Sequence, residues 1–185
     1  MKTLMNMNLP NKLTMLRVIL IPFFVAFLLD PMGLDAAKWI ALILFIAASV
    51  TDALDGHIAR KNNLVTNFGK FMDPLADKLL VSSALIGFVE LEYIPTWIVM
   101  VIIAREFVIS GFRLIAADNG IVIAAGIWGK LKTVCQMVMI IVLIADLGGI
   151  FDILGTVLIW LSLILTLISL ADYLYNNRKV LSMQG

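Results

Sequence analysis

The chain has 185 residues, of which 62% are hydrophobic, with a mean hydropathy of +1.02 and a formal net charge of +1. A soluble domain of this length would be nearer half apolar, so the composition argues against a water-soluble globule. A charge this close to zero excludes bulk attraction to nucleic acid. The single cysteine, Cys135, excludes an intrachain disulfide and reads as a small buried hydrophobe.

The first 29 residues carry a lysine and an apolar stretch, as a signal peptide would. They end at Leu29-Asp30-Pro31 without a small-x-small cleavage site, which predicts a retained first span. A short interfacial segment with Met5, Met7 and Leu9 precedes it. Six apolar blocks follow one another at 13–29, 39–59, 74–89, 95–116, 131–145 and 153–175. A bilayer core of about 30 Å takes roughly 20 helical residues to cross, and no strand alternation competes with helix. The expected fold is therefore all-α and polytopic: six transmembrane helices plus the interfacial segment, in one domain over 1–185.

Three of the connections carry acids, Asp30/Asp35, Glu90/Glu92 and Asp146/Asp152. Lysine and arginine collect on the other side. Lys2, Lys12, Arg17, Arg60, Lys61, Lys70, Lys78, Arg113, Lys130, Lys132, Arg178 and Lys179 are twelve of the fourteen basic residues. Basic residues favour the cytoplasmic side, so both termini are expected there. Only the last block is a clean span. The others hold ionisable groups toward their inner ends, which a polar cavity open to the cytoplasmic leaflet would explain.

The densest of these charges are aspartates. Asp52 lies 13 residues after Trp39, and Asp77 lies 13 residues before Glu90. At about 1.5 Å per residue on antiparallel helices, the two are level, roughly 20 Å below the outer boundary. Asp55 and Asp73 are nearly level about one turn further in. Asp52 and Asp55 are i and i+3; Asp73 and Asp77 are i and i+4. Gly56, Ala59 and Gly69 fall on the same stripes and leave room for something bulky. Pro74 is expected to loosen the helix beside Asp73. Four carboxylates so close require protonation or cations, and an oxygen-only set suits two hard divalent ions, Mg2+ or Mn2+. His57 falls off the stripe and reads as a bystander. The plainer alternative is that the aspartates only pair with Arg60, Lys70 and Lys78 in a solvated loop.

Asp52-x-x-Asp55-Gly56-x-x-Ala59-Arg60, eight residues, then Gly69-x-x-x-Asp73-x-x-x-Asp77 resembles the signature of the CDP-alcohol phosphotransferases at every fixed position. Three further stretches resemble the branch that makes phosphatidylglycerol phosphate. They are Asn8-Leu9-Pro10-Asn11-x-Leu13-Thr14-x-x-Arg17, Arg105-Glu106-x-x-x-Ser110-Gly111-x-Arg113 and Gly129-Lys130-x-Lys132-Thr133.

The resemblance implies CDP-diacylglycerol as donor, sn-glycerol 3-phosphate as acceptor, and a homodimer among membrane lipids with its active site facing the cytoplasm. It implies that Asp52, Asp55, Asp73 and Asp77 hold the metals and that Asp77 takes the acceptor's proton. Arg60 would clamp phosphate. Gly56, Ala59 and Gly69 would admit cytidine and ribose, with Asn11, Thr14 and Thr66 as polar contacts. Arg105, Arg113, Lys130 and Lys132 would receive the acceptor's phosphate, with Glu106 a partner for Arg105. The basic residues could instead anchor helix ends among headgroups. Trp97, Trp128, Tyr173 and Tyr175 read as interfacial aromatics.

Two alternatives stand beside this. One is a relative with another acceptor, such as inositol phosphate, serine or phosphatidylglycerol. The other is a divalent-cation or proton-coupled transporter, disfavoured because the outer halves of the second, third and fourth blocks lack charge.

Overall fold

The structure is a computed structural model. It describes residues 9–30, 33–61, 67–118, 123 and 126–177, and among these the side chains outside 9–10, 52–71, 73–74 and 117–118. The described residues form six helices and no strand: α1 Leu9–Leu29, α2 Ala37–Lys61, α3 Asn67–Glu90, α4 Thr96–Asp118, α5 Ile127–Ala145 and α6 Ile150–Asn176. The shortest has 19 residues and the longest 27, or about 28 to 40 Å. On length and apolarity together, Asn11–Leu29, Ile127–Ala145 and Ile150–Asn176 can cross a membrane. In α2 the apolar part is Ala37–Thr51, and the acids begin directly after it.

The expected all-helical, polytopic class holds. Several helices start earlier than the apolar blocks. α3 begins at Asn67 rather than Pro74, and α5 at Ile127 rather than Leu131. Backbone hydrogen bonding continues a helix past the point where its side chains turn polar, so hydropathy marks only the membrane-deep part. Of the interfacial segment, Met5 and Met7 lie outside the described residues, and Leu9 opens α1.

The chain divides into two compact units, Met1–Leu91 and Glu92–Gly185. In the first, α1 packs against α2 and α3. Its buried stripe runs Asn11, Thr14, Arg17, Ile21, Phe24, Leu28, at steps of three and four, polar in the first half and apolar in the second. The facing stripe of α2 is Ala37, Ala41, Phe45, Ala48. Its alanines allow close approach, and Phe45 meets Phe24 at 5.7 Å between ring centroids. On α3, Gly87 admits Leu28: a methyl there would lie 2.6 Å from Leu28 Cδ2.

In the second unit α6 packs against α5 and α4. α5 and α6 are antiparallel. A methyl on Gly155 would lie 3.1 Å from Leu143, and one on Gly126, near the far ends, 3.2 Å from Asp172. α4 runs parallel to α6, with Trp97 against Trp160 at 6.0 Å and Phe112 against Tyr173 at 5.8 Å. The turn between α5 and α6 is made by Asp146, Gly148 and Gly149, all at positive φ.

The surface is rich in large apolar side chains, unlike a soluble protein's, and the mostly apolar core takes in several polar ones. Ile43 and Met100 are each 66% exposed, while Thr14, Ser162 and Thr166 are fully buried. Apolar outside and hydrogen-bonding inside suits a lipid solvent.

Candidate active site

Asp52 and Asp55 lie on α2, Asp73 and Asp77 on α3, two helices of one unit that touch each other. The side chains of Asp52, Asp55, Gly56, Ala59, Arg60, Gly69 and Asp73 lie outside the described ones, as does Thr66 entirely. Asp77 is half-buried, between the buried Ala76 and Leu80. Among the described residues no group of three or more histidines, cysteines or acids could hold a metal. Three of the four expected ligands stand outside that statement.

α1, which packs against α2, carries a buried polar stripe. Asn11 and Thr14 are buried. Arg17, counted in the sequence among the inner-side basic residues, is 1% exposed, and its Nε donates to the Ala48 carbonyl at 3.1 Å. The Thr51 hydroxyl donates to the same oxygen at 2.8 Å. In an α-helix that oxygen also accepts from the residue four further on, which here is Asp52. Arg17 therefore sits one helical turn from the first aspartate of the signature.

The second unit contains a buried polar seam. Arg105 on α4 and Lys132 on α5 have side chains 9% and 3% exposed. Both donate to Glu106 Oε1, from Arg105 Nη1 at 2.9 Å and from Lys132 Nζ at 2.5 Å. The expected Arg105–Glu106 partnership is present, and Lys132 joins it. Arg113, two turns along α4, is half-buried with its guanidinium 5.7 Å from the centroid of Tyr173. Lys130 departs from this group. It is exposed, because two residues along a helix turn a side chain about 200° away from Lys132.

Five buried side-chain atoms have no hydrogen-bond partner among the described residues: Arg105 Nε, Arg113 Nε, Gln136 Nε2, Ser162 Oγ and Tyr173 OH. All belong to α4, α5 and α6 of the second unit. The antiparallel register that pairs Gly126 with Asp172 and Leu143 with Gly155 sets Gln136 level with Ser162 and Lys132 level with Thr166. The orphaned atoms thus lie on both sides of the Glu106 ion pairs along the seam. Every one of them can donate a proton, and a buried donor left unpaired is costly. Ser162 and Tyr173 lie about 16 Å apart along α6, so a phosphate would meet only the donors beside the Glu106 pairs, Arg105 Nε first.

Gln136, Ser162 and Tyr173 are additions to the residues picked out from sequence. Tyr173 reads there as an interfacial aromatic, yet it is 6% exposed and edge-on to Phe112. Trp97, Trp128 and Tyr175 are exposed, as interfacial aromatics are. The signal for the additions was helical spacing. Lys132 and Gln136 are four apart, and Ser162, Thr166, Ser169 and Tyr173 form a buried stripe at steps of three and four within an apolar block.

A family model described as CDP-alcohol phosphatidyltransferase matches residues 7–168. A Bacillus subtilis protein named CDP-diacylglycerol--glycerol-3-phosphate 3-phosphatidyltransferase is 43% identical, over 94% of this chain and 97% of its own length. A Haemophilus influenzae protein of the same name is 39% identical, over 92% and 93%. A Mycobacterium tuberculosis protein named probable phosphatidylglycerophosphate synthase is 38% identical, over 90% of this chain and 79% of its own. With its apolar, span-length helices, the chain is an integral membrane protein. It belongs to the CDP-alcohol phosphatidyltransferase family.

Proposed function

We propose that this protein transfers the phosphatidyl group of CDP-diacylglycerol to sn-glycerol 3-phosphate, giving phosphatidylglycerol phosphate and CMP in phospholipid biosynthesis. Relatives bearing that activity in their names match it at close to full length. The observation that carries the acceptor half is the seam of the second unit: buried cations held by Glu106, with orphaned donors beside them. A neutral acceptor such as serine would leave that charge unused.

Asp52, Asp55, Asp73 and Asp77 are the proposed ligands of two divalent cations, Mg2+ or Mn2+. Support comes from the chemistry of the donor set, carboxylates only, at i, i+3 on α2 and i, i+4 on α3. When bound, such ions neutralise the pyrophosphate and the leaving CMP. Asp77 accepts the proton of the acceptor hydroxyl as that oxygen attacks the phosphorus bearing diacylglycerol. Arg60 clamps donor phosphate, with a guanidinium fork suited to it. Gly56, Ala59 and Gly69 give the nucleotide room, and Asn11, Thr14 and Thr66 offer it polar contacts. Arg105, Arg113 and Lys132 hold the acceptor phosphate, and the exposed Lys130 adds to the field that draws it in.

The family model extends over both compact units, which supports their acting as one domain over 1–185. The proposed setting is the cytoplasmic membrane, with both termini and the active site on the cytoplasmic side. Twelve of fourteen basic residues on one side of the expected spans support it. Association as a homodimer among membrane lipids rests on the family resemblance.

The test is CMP release and lipid product from CDP-diacylglycerol with glycerol 3-phosphate, inositol phosphate, serine or phosphatidylglycerol in parallel. Glycerol 3-phosphate is expected to be used at least about a hundredfold better than serine, which brings no phosphate to the seam's buried donors. Asp73→Ala is expected to lower the rate by about a thousandfold or more. Normal synthesis by that variant, or no CMP with glycerol 3-phosphate, would defeat the proposal.

A further inference from the structure

The roles above leave out Glu106, the acid to which two of the seam's cations are tied. Its Oε1 accepts from both Arg105 and Lys132, so one atom takes both buried cations. Glu106 is the shared counter-ion of Arg105 and Lys132, and a buried cation stripped of its counter-ion is costly. A phosphomonoester needs the same N–H donors and brings up to two negative charges of its own. Glu106 and an incoming phosphate are rivals for one set of donors. Among the described side chains of the seam, Arg105, Lys132 and Arg113 outnumber Glu106. Asp172, another acid on this part of α6, is half-buried, faces the start of α5 and accepts from Asn176.

We propose that Glu106 is a built-in competitor of the acceptor phosphate. It holds Arg105 and Lys132 in place while the seam is empty, and it limits how firmly any phosphate is held there. The second effect matters for turnover. The product carries the same terminal monoester as the acceptor, so a seam without the rival grips product as hard as substrate and releases it slowly. This inference rests on the reading that these cations receive the acceptor phosphate.

The test uses Glu106→Gln in the full-length chain in detergent micelles, with inorganic phosphate as probe. Gln keeps the shape and removes the charge. The inhibition constant of inorganic phosphate is expected to fall about tenfold or more. The acceptor KM and kcat are expected to fall together. A Glu106 that merely supports the fold gives a lower Tm with the phosphate constant unchanged or weaker, and that result overturns the proposal. If uncompensated cations prevent folding, the comparison moves to the Lys132→Met background. There Glu106→Gln removes the remaining acid and is again expected to tighten phosphate; equal constants in the two overturn the idea. Arg105→Met separates this inference from the one beneath it. An unaltered acceptor KM in Arg105→Met rejects the acceptor seat itself. A raised KM there, with no tightening in Glu106→Gln, rejects the rivalry alone.

Discussion

The two ends of the α5–α6 pair are built to opposite specifications. Where α5 starts and α6 finishes, the described interior is basic and holds donors without acceptors, with Arg105, Lys132 and Arg113 around Glu106. At the turn that joins the two helices lies an open cavity of about 250 Å3, lined by Tyr93, Leu147, Phe151 and the two acids Asp146 and Asp152. This opening is at the end whose charge repels phosphate. Space is the poorer guide here, and the sign of the charge together with the donors left unpaired is the better one.

The largest effect expected from this contrast is at Arg105. Arg105→Met keeps much of the side chain's bulk and removes the guanidinium, leaving the Lys132 bond to Glu106 in place. A drop in kcat/KM of about 100- to 1000-fold is expected, mostly as a raised acceptor KM with donor KM little changed. Steady-state assays varying each substrate in turn decide it. A loss shared equally by donor and acceptor would show that the seam does not distinguish them.

A smaller and sharper comparison lies within α5. Lys132 and Lys130 are two residues apart, one buried on Glu106 and one exposed. Lys132→Met is expected to raise the acceptor KM by about 30-fold or more, as loss of a buried charge partner does. Lys130→Met is expected to change it about two- to threefold, an effect that fades at high salt. Equal losses would mean that helical phase is irrelevant and that both lysines act through the surface field.

These lysines also mark how far the sequence could be read. The aspartate spacings, the helices and the basic character of α4 and α5 were legible because each follows from composition and period. Lys130 and Lys132 could not be told apart by type or by motif. Only the rotation of α5 against its neighbours separates them. Glu106 was legible as a partner for Arg105, but its second bond to Lys132 spans 26 residues of chain and needs the packing. Ser162 and Thr166 sit in a stretch, 153–171, free of charge, so it reads as a plain span although one face of it is polar and buried. Arg17 reads as an inner-side anchor because a basic residue near a helix start usually is one. Its buried bond to Ala48 depends on alanines that let α1 approach α2.

The smallest expected effects belong to the acidic end, and they test the contrast from its other side. Asp146→Asn with Asp152→Asn is expected to leave kcat/KM within about twofold, since surface charge changes away from a site are usually slight. The same substitutions have a local readout. Tyr93, in the connection between α3 and α4, has its phenol pushed above its ordinary value of 10.0 by burial first, then by the charges of Asp146 and Asp152. A phenol whose folded pKa is raised contributes stability that is intact below about pH 10 and lost as pH rises through the folded value. Removing the two charges lowers the folded value toward the ordinary one without reaching it, because burial remains. Absorbance of the phenolate during alkaline titration, with Tyr93→Phe to separate it from Tyr173 and Tyr175, follows the change directly. Titration at the same pH with and without the two acids would mean that the carboxylates do not act on this cavity. The acidic end would then have no claim to repel a phosphate.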